Sequence, residues 1–128
     1  MNTKYVMISS VCFMGLLGLA ASFFPKEILE SAGQTPTELL TLLLQITGAL
    51  YLGFALINWM AKKILIGGIY SKPLCMGNFL HFMVAALALV KATMDNPTSK
   101  YILIATVAYS TFAVLFGFIL FTNPREVA

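Results

Sequence analysis

Four long stretches without a charged residue constrain this 128-residue sequence more than any other feature. They cover residues 5–24, 39–61, 74–90 and 101–121, which together make up 81 positions. A helix needs about 20 apolar residues to cross about 30 Å of hydrocarbon, and each stretch is at or near that length. We therefore expect a multi-pass membrane protein whose loops are too short to hold a second domain.

The fold class follows from what hydrocarbon permits. The strands of a membrane β-barrel alternate apolar and polar residues over about 10 positions, whereas these stretches are apolar on every side. Charged residues make up only 10% of the chain, against about 25% in ordinary soluble domains. We predict an all-α integral membrane four-helix bundle, a single domain over residues 1–128. The expected spans cover residues 5–24, 37–61, 73–94 and 98–121.

Proline, glycine and capping residues mark the expected helix ends. Thr35 and Glu38 have the spacing of a capping box, with Pro36 at the first helical position of the second span. Asn96 stands in the same way before the fourth span. Residues 25–33 begin with proline and end with glycine, which predicts a short helix lying on the membrane surface between helices 1 and 2.

The basic residues near the helix ends predict the orientation. Four spans place both termini and the loop between helices 2 and 3 on one side. That side carries five basic residues: Lys4, Lys62, Lys63, Lys72 and Arg125. The other side carries three basic residues and four of the five acids. We expect a bacterial inner-membrane protein with both termini in the cytoplasm, and the net charge of +3 suits anionic lipid headgroups rather than nucleic acid.

Small and polar residues line up on one face of each span, which predicts the packing seams of a bundle. On helices 1 and 2 these residues are Gly15, Gly18 and Ser22, and Gly48, Tyr51, Ala55 and Asn58. On helices 3 and 4 they are Asn78, His81, Ala85, Ala88 and Ala92, and Thr106, Tyr109, Ser110, Ala113 and Gly117.

One cluster of these polar residues is a candidate site. By depth along their helices, Asn58, Asn78, His81 and Tyr51 fall in the cytoplasmic half of the bilayer, where Ser9 or Cys12 of helix 1 can join them. In one interpretation His81 only bonds Asn58 or Tyr51 across a seam. In the other, a small pocket binds the polar end of a lipid, a quinone or another amphipathic ligand, and His81 makes the key hydrogen bond.

The loop between helices 2 and 3 lies over this predicted pocket. Lys62, Lys63 and Lys72, with the amides of Gly67 and Gly68, can act as a lid that holds a phosphate headgroup. The alternative is that the lysines are ordinary stop-transfer charges at the membrane surface.

The sequence contains few residues that are suited to metal binding or catalysis. The sulfurs of Met7 and Met14 are about 10 Å apart by helical rise, as are those of Met76 and Met83, so neither pair can share a copper(I) ion. No acidic residue lies within the four charge-free stretches, and general acid–base work would fall to His81. We expect no metal, no cofactor and no catalytic residue.

Three short segments resemble the DoxX-like group of small four-helix bacterial inner-membrane proteins. They are the Phe-Pro-Lys-Glu elbow at residues 24–27, the segment at residues 48–53 and the Asn-Phe-Leu-His segment at residues 78–81. That group has no established chemistry to carry over. The resulting hypothesis is a non-enzymatic membrane protein that associates with itself or with larger membrane partners and binds a lipid or quinone near His81. The alternatives are a small dimeric transporter or channel, and a lipid-modifying enzyme that uses His81.

Overall fold

The computed structural model describes residues 2–64 and 71–122, and these residues form helices and connecting turns without a strand. The five helices are α1 (Thr3–Phe23), α2 (Pro25–Ser31), α3 (Glu38–Ala61), α4 (Lys72–Asp95) and α5 (Lys100–Thr122). Four of them, all except α2, are long and apolar enough to cross a membrane. The all-α fold class is therefore confirmed, with four long apolar helices where the four spans were expected.

The chain divides into two compact units. The N-terminal unit, Met7–Lys63, contains most of α1 together with α2 and α3. The C-terminal unit, Met1–Val6 and Ile64–Ala128, contains α4, α5 and the start of α1. That the two units together form one domain stays a prediction.

The start of α3 corrects the predicted capping box. Thr37, not Thr35, is the N-cap residue, and its hydroxyl accepts a hydrogen bond from the amide of Leu40 at 3.2 Å. The backbone of Thr37 is extended, so Pro36 precedes the helix instead of opening it. Both threonines carry the hydroxyl that a cap requires, and the residue pattern alone does not distinguish them.

The short helix predicted after the first span is confirmed as α2. Pro25 is its first residue, where a missing amide hydrogen is no loss. Gly33 follows with a positive φ of 74°, and its amide donates to the carbonyl of Glu30 at 2.9 Å, which ends the helix. The helix packs against α3, while its position on the membrane surface stays a prediction.

In the N-terminal unit, α1 and α3 approach each other at glycines. A Cβ atom added to Gly48 would lie 2.6 Å from the hydroxyl and 2.8 Å from the backbone nitrogen of Ser22. A Cβ atom on Gly18 would lie 2.9 Å from the backbone nitrogen of Leu52. Only hydrogen fits at these two positions, so the predicted seam of small residues is confirmed between these helices.

In the C-terminal unit, α4 and α5 pack through aromatic rings. Phe82 is fully buried, and the ring centroids of Tyr109, Phe112 and Phe116 lie 4.8 to 5.7 Å from its own. Gly117 makes room for Phe79, whose Cε2 would be only 3.0 Å from a Cβ atom there.

These contacts confirm the predicted stripe on α5 and correct part of the stripe on α4. Ala88, expected in the seam, is exposed, and the rings of Phe79 and Phe82 make the contacts with α5 instead. The ring of Phe79 fits against Gly117, whereas Phe82 packs against rings of α5, so small residues are not needed along the whole contact of the two helices.

Candidate functional site

The predicted site residues divide between the two units. The N-terminal unit holds Tyr51, Asn58, Lys62 and Lys63, and the C-terminal unit holds Lys72, Asn78 and His81. Their convergence on one pocket stays a prediction. Residues 65–70, which include the predicted lid glycines, lie outside the described residues.

Asn58 belongs to a buried chain of hydrogen bonds inside the N-terminal unit. Its side-chain amide donates to the Ser10 hydroxyl at 3.0 Å, and that hydroxyl donates to the carbonyl of Met7 at 2.7 Å. Both Asn58 and Ser10 are fully buried. The contact joins the middle of α1 to the end of α3. The amide nitrogen of Asn58 therefore contributes to the packing of these two helices.

Ser10 was not among the residues expected to join the cluster. We predicted Ser9 or Cys12, but both are exposed. The missed signal is the spacing of Met7, Ser10 and Met14, which repeat at three and then four residues on one helix face and are all fully buried.

The other predicted residues of the N-terminal unit lie nearer the surface. Tyr51 is half-buried, on the same face of α3 as Asn58. The Nζ atom of Lys62 lies over the ring of Trp59, 2.7 Å from its centroid, whereas Lys63 is exposed. A lysine and a tryptophan at a helix end are typical of the boundary between lipid and water.

His81 lies among aromatic rings in the C-terminal unit. Its ring centroid is 5.1 Å from that of Phe82 and 6.0 Å from that of Tyr109, and its Nε2 atom is buried. Asn78, one turn earlier, is fully buried and donates to the carbonyl of Leu74 at 3.0 Å. Lys72, the first residue of α4, is exposed. Three polar residues, Asn78 and His81 of α4 and Tyr109 of α5, thus lie in the same part of the C-terminal unit.

A second polar contact joins α4 and α5 near their connecting turn. The hydroxyls of Thr93 and Thr106 are 2.7 Å apart, and the carbonyls of Leu89 and Ile102 are within reach as acceptors. The two hydroxyls have only two hydrogens to donate, whereas the possible acceptors are two carbonyls and the other hydroxyl. These hydrogen bonds therefore cannot all form at the same time. Thr106 was predicted in this seam and Thr93 was not.

The chemistry available at these positions is limited. Within residues 2–64 and 71–122, no three His, Cys, Asp or Glu side chains are grouped so that they could hold a metal ion. Cys12 is exposed and Cys75 is buried, and both are free thiols. The sulfur of Cys75 is 3.6 Å from the carbonyl of Phe116, a weak contact between α4 and α5.

Compared with known protein families, curated proteins and solved structures, the chain matches none of them. The resemblance of three short segments to the DoxX-like group therefore assigns no family. A function has to be argued from the residues of this chain alone.

Proposed function

We propose that this protein is a non-enzymatic membrane protein that associates with itself through α3. Of the four spanning helices, α3 offers the most surface to its surroundings. Only 11% of its most apolar 18-residue window is buried, against 22 to 33% for the other three helices. Lipid can cover the large apolar side chains on this surface, but it cannot hydrogen-bond an amide or fill the groove beside small residues.

The exposed face of α3 carries the observation on which the proposal rests. Gln45, Ala49 and Gly53 recur every four residues on that face, and all three are exposed. A Cβ atom on Gly53 would meet nothing within 4 Å. Small residues spaced by four let two helices approach closely, and a glutamine amide can both donate to and accept from its own copy in a symmetric dimer.

The test is the self-association of the full chain in lipid vesicles. Gly53→Leu fills the groove, so energy transfer between donor- and acceptor-labelled copies should fall at every protein-to-lipid ratio. Gly77→Leu is the matched control, because Gly77 lies on α4 and also has nothing within 4 Å of its Cβ position. A wild-type chain that shows no energy transfer above random proximity, or equal losses in both variants, contradicts the proposal.

We further propose that the chain resides in a bacterial inner membrane with both termini in the cytoplasm. The support is the excess of basic residues, five against three, on the side of the termini and of the loop between α3 and α4. A protease-sensitive tag fused after Ala128 should survive protease added outside spheroplasts. Digestion of that tag from the periplasmic side would overturn the orientation.

A second candidate function is binding of the polar end of a lipid or quinone beside His81. The observation that favours it is the half-buried imidazole next to Tyr109 and one turn from Asn78, with aromatic rings around it. His81 is the only histidine of the chain, so its imidazole NMR signals are unambiguous. Titration with a short-chain ubiquinone should shift these signals saturably, and their constancy would remove a quinone as the ligand of this candidate site.

A further inference from the structure

A cleft lined by charged, polar and apolar residues lies within the N-terminal unit. It has a volume of about 450 Å³, within the range of sites that hold small ligands. The residues that line it come from α2, from the connection that follows it and from the first two turns of α3. They are Lys26, Pro36, Thr37, Glu38, Thr41, Leu42 and Gln45.

The position of the cleft follows from the order of the spans. α1 ends at Phe23 and α3 begins at Glu38, and both helices are long and apolar enough to cross a membrane. Two consecutive spans meet at the same face of the bilayer. The cleft therefore opens at the level where lipid headgroups lie, whichever side of the membrane that is.

Charges of opposite sign border the cleft. Lys26 and Glu38 are both exposed, and neither forms an ion pair with another residue in the described part of the chain. A ligand with one negative and one positive group, held a few ångströms apart, can satisfy both side chains at once. A purely anionic or purely cationic ligand would meet a like charge on one wall.

An uncharged polar group continues the cleft toward the membrane. Thr41 follows Glu38 on the same face of α3, about 4.5 Å further along the helix axis. Its hydroxyl is suited to the ester carbonyls and glycerol oxygens that lie below a phospholipid headgroup.

We propose that this cleft binds the headgroup of a zwitterionic phospholipid that carries a primary ammonium, as in phosphatidylethanolamine. Lys26 pairs with the phosphate and Glu38 accepts hydrogen bonds from the ammonium. A quaternary ammonium cannot donate such bonds and is recognised by aromatic rings instead. No aromatic residue is among those that line the cleft, so phosphatidylcholine is discriminated against.

The experiment is native mass spectrometry of the full chain released from nanodiscs. The nanodiscs contain phosphatidylethanolamine, phosphatidylcholine and phosphatidylglycerol in equal amounts. The wild-type chain should retain phosphatidylethanolamine preferentially. Glu38→Gln should lower its ratio to phosphatidylcholine by roughly two- to fivefold, the range expected for one exposed charge contact. Glu38→Asp keeps the carboxylate and should keep the preference.

Two controls separate this site from its surroundings. Glu30→Gln removes an exposed carboxylate of α2 that does not line the cleft, and it should leave the lipid ratio unchanged. Gly53→Leu, which weakens self-association, should leave it unchanged too, so that failure of the lipid site and failure of the proposed dimer are told apart.

A second arm distinguishes the membrane lipid from its free headgroup. Soluble glycerophosphoethanolamine carries the same charges without acyl chains, and it should not displace the retained lipid at millimolar concentration. Saturable binding of the soluble ester without lipid enrichment overturns the proposal. Equal retention of the ethanolamine and choline lipids, preference for phosphatidylglycerol, or an equal effect of Glu30→Gln and Glu38→Gln overturns it as well.

Discussion

The absence of a Cβ atom on glycine allows α1 and α3 to approach each other closely in the N-terminal unit. The Cβ position of Gly48 points at Ser22, whose backbone nitrogen would be 2.8 Å away. A flexible side chain could move aside, but the backbone of a packed helix cannot move without shifting the helix. Among the glycines of this unit, Gly48 is the one at which an added Cβ atom would make the closest contact.

Gly48→Ala should lower the free energy of unfolding by about 1–3 kcal/mol, the usual effect of overpacking. The control is Gly77→Ala, which has open space at its Cβ position. There the greater helix propensity of alanine should leave stability unchanged or raise it by up to about 1 kcal/mol. Unfolding in mixed micelles, followed by circular dichroism, measures both changes. Equal effects would show that the contact with Ser22 does not limit the approach of the helices.

The hydrogen bond between Asn58 and Ser10 also acts at the scale of a residue. Ser10→Ala should lower the free energy of unfolding by about 0.6 kcal/mol and by no more than about 1.7 kcal/mol, the mean and the maximum measured for hydrogen bonds between membrane helices. In a double-mutant cycle with Asn58→Leu, most of this loss should disappear, because the second variant has already lost the bond.

Ser22→Ala is the matched control for Ser10→Ala on the same helix. The Ser22 hydroxyl is buried but has no hydrogen-bond partner among the described residues, so its removal breaks no bond. If Ser22→Ala destabilises the unit as much as Ser10→Ala does, the loss at Ser10 comes from packing and not from the hydrogen bond.

At the scale of helices, hydropathy predicted the spans because crossing hydrocarbon requires a long apolar run. The stripes of small residues predicted which faces of α1 and α3 pack against protein, because small residues are what allow a close approach. The position of Ser10 and the face of α4 were predicted poorly. A spanning helix is apolar on every side, so hydrophobicity does not distinguish the face that meets protein from the face that meets lipid.

The candidate site was predictable only in part for the same reason. Asn58, Asn78 and His81 stand out as polar residues in apolar spans, and the two asparagines are indeed fully buried. The partners of such groups depend on helix rotation, which the sequence does not determine. This is why the threonine pair between α4 and α5 was recognised on only one of its two helices.

That pair should stabilise the contact of α4 with α5. Thr106→Val keeps the shape of the side chain and removes its hydroxyl, so we expect a loss of about 0.6 kcal/mol in the free energy of unfolding. Thr93→Val combined with Thr106→Val should lose less than the sum of the single changes, since the two hydroxyls share one contact.

Thr111→Val is the control for these variants. The Thr111 hydroxyl is exposed and donates to the carbonyl of Val107 at 2.8 Å, within its own helix. Its loss should leave the stability of the C-terminal unit unchanged within error. Chemical unfolding of the four variants and the wild-type chain in the same micelles checks the series, and a Thr111→Val effect as large as that of Thr106→Val would contradict the role assigned to the pair.

At the scale of the whole molecule, the proposed orientation depends on very few charged residues. Large exposed apolar side chains occur on all four spanning helices. The apolar surface of the helices therefore does not favour one orientation in the membrane over the other. The connections between the spanning helices are short, and short segments are where basic residues set the orientation.

Replacing Lys62, Lys63 and Lys72 by glutamine should therefore invert the chain or mix its orientations. The change leaves two basic residues, Lys4 and Arg125, against three on the opposite side. A green fluorescent protein fused to the C-terminus fluoresces only in the cytoplasm, and alkaline phosphatase fused at the same point is active only in the periplasm. The triple variant should lose fluorescence and gain phosphatase activity, whereas the wild-type chain should do neither.

The opposite replacement provides the control. Glutamine at Lys26, Lys91 and Lys100 leaves five basic residues against none, so the orientation should stay as in the wild-type chain and become more uniform. Phosphatase activity in this control, or unchanged fluorescence in the first variant, would mean that the loop lysines do not set the orientation. The contact of Lys62 with Trp59 would then be the main role left for that side chain, because a lysine lying over an aromatic ring anchors the end of α3 without selecting a side.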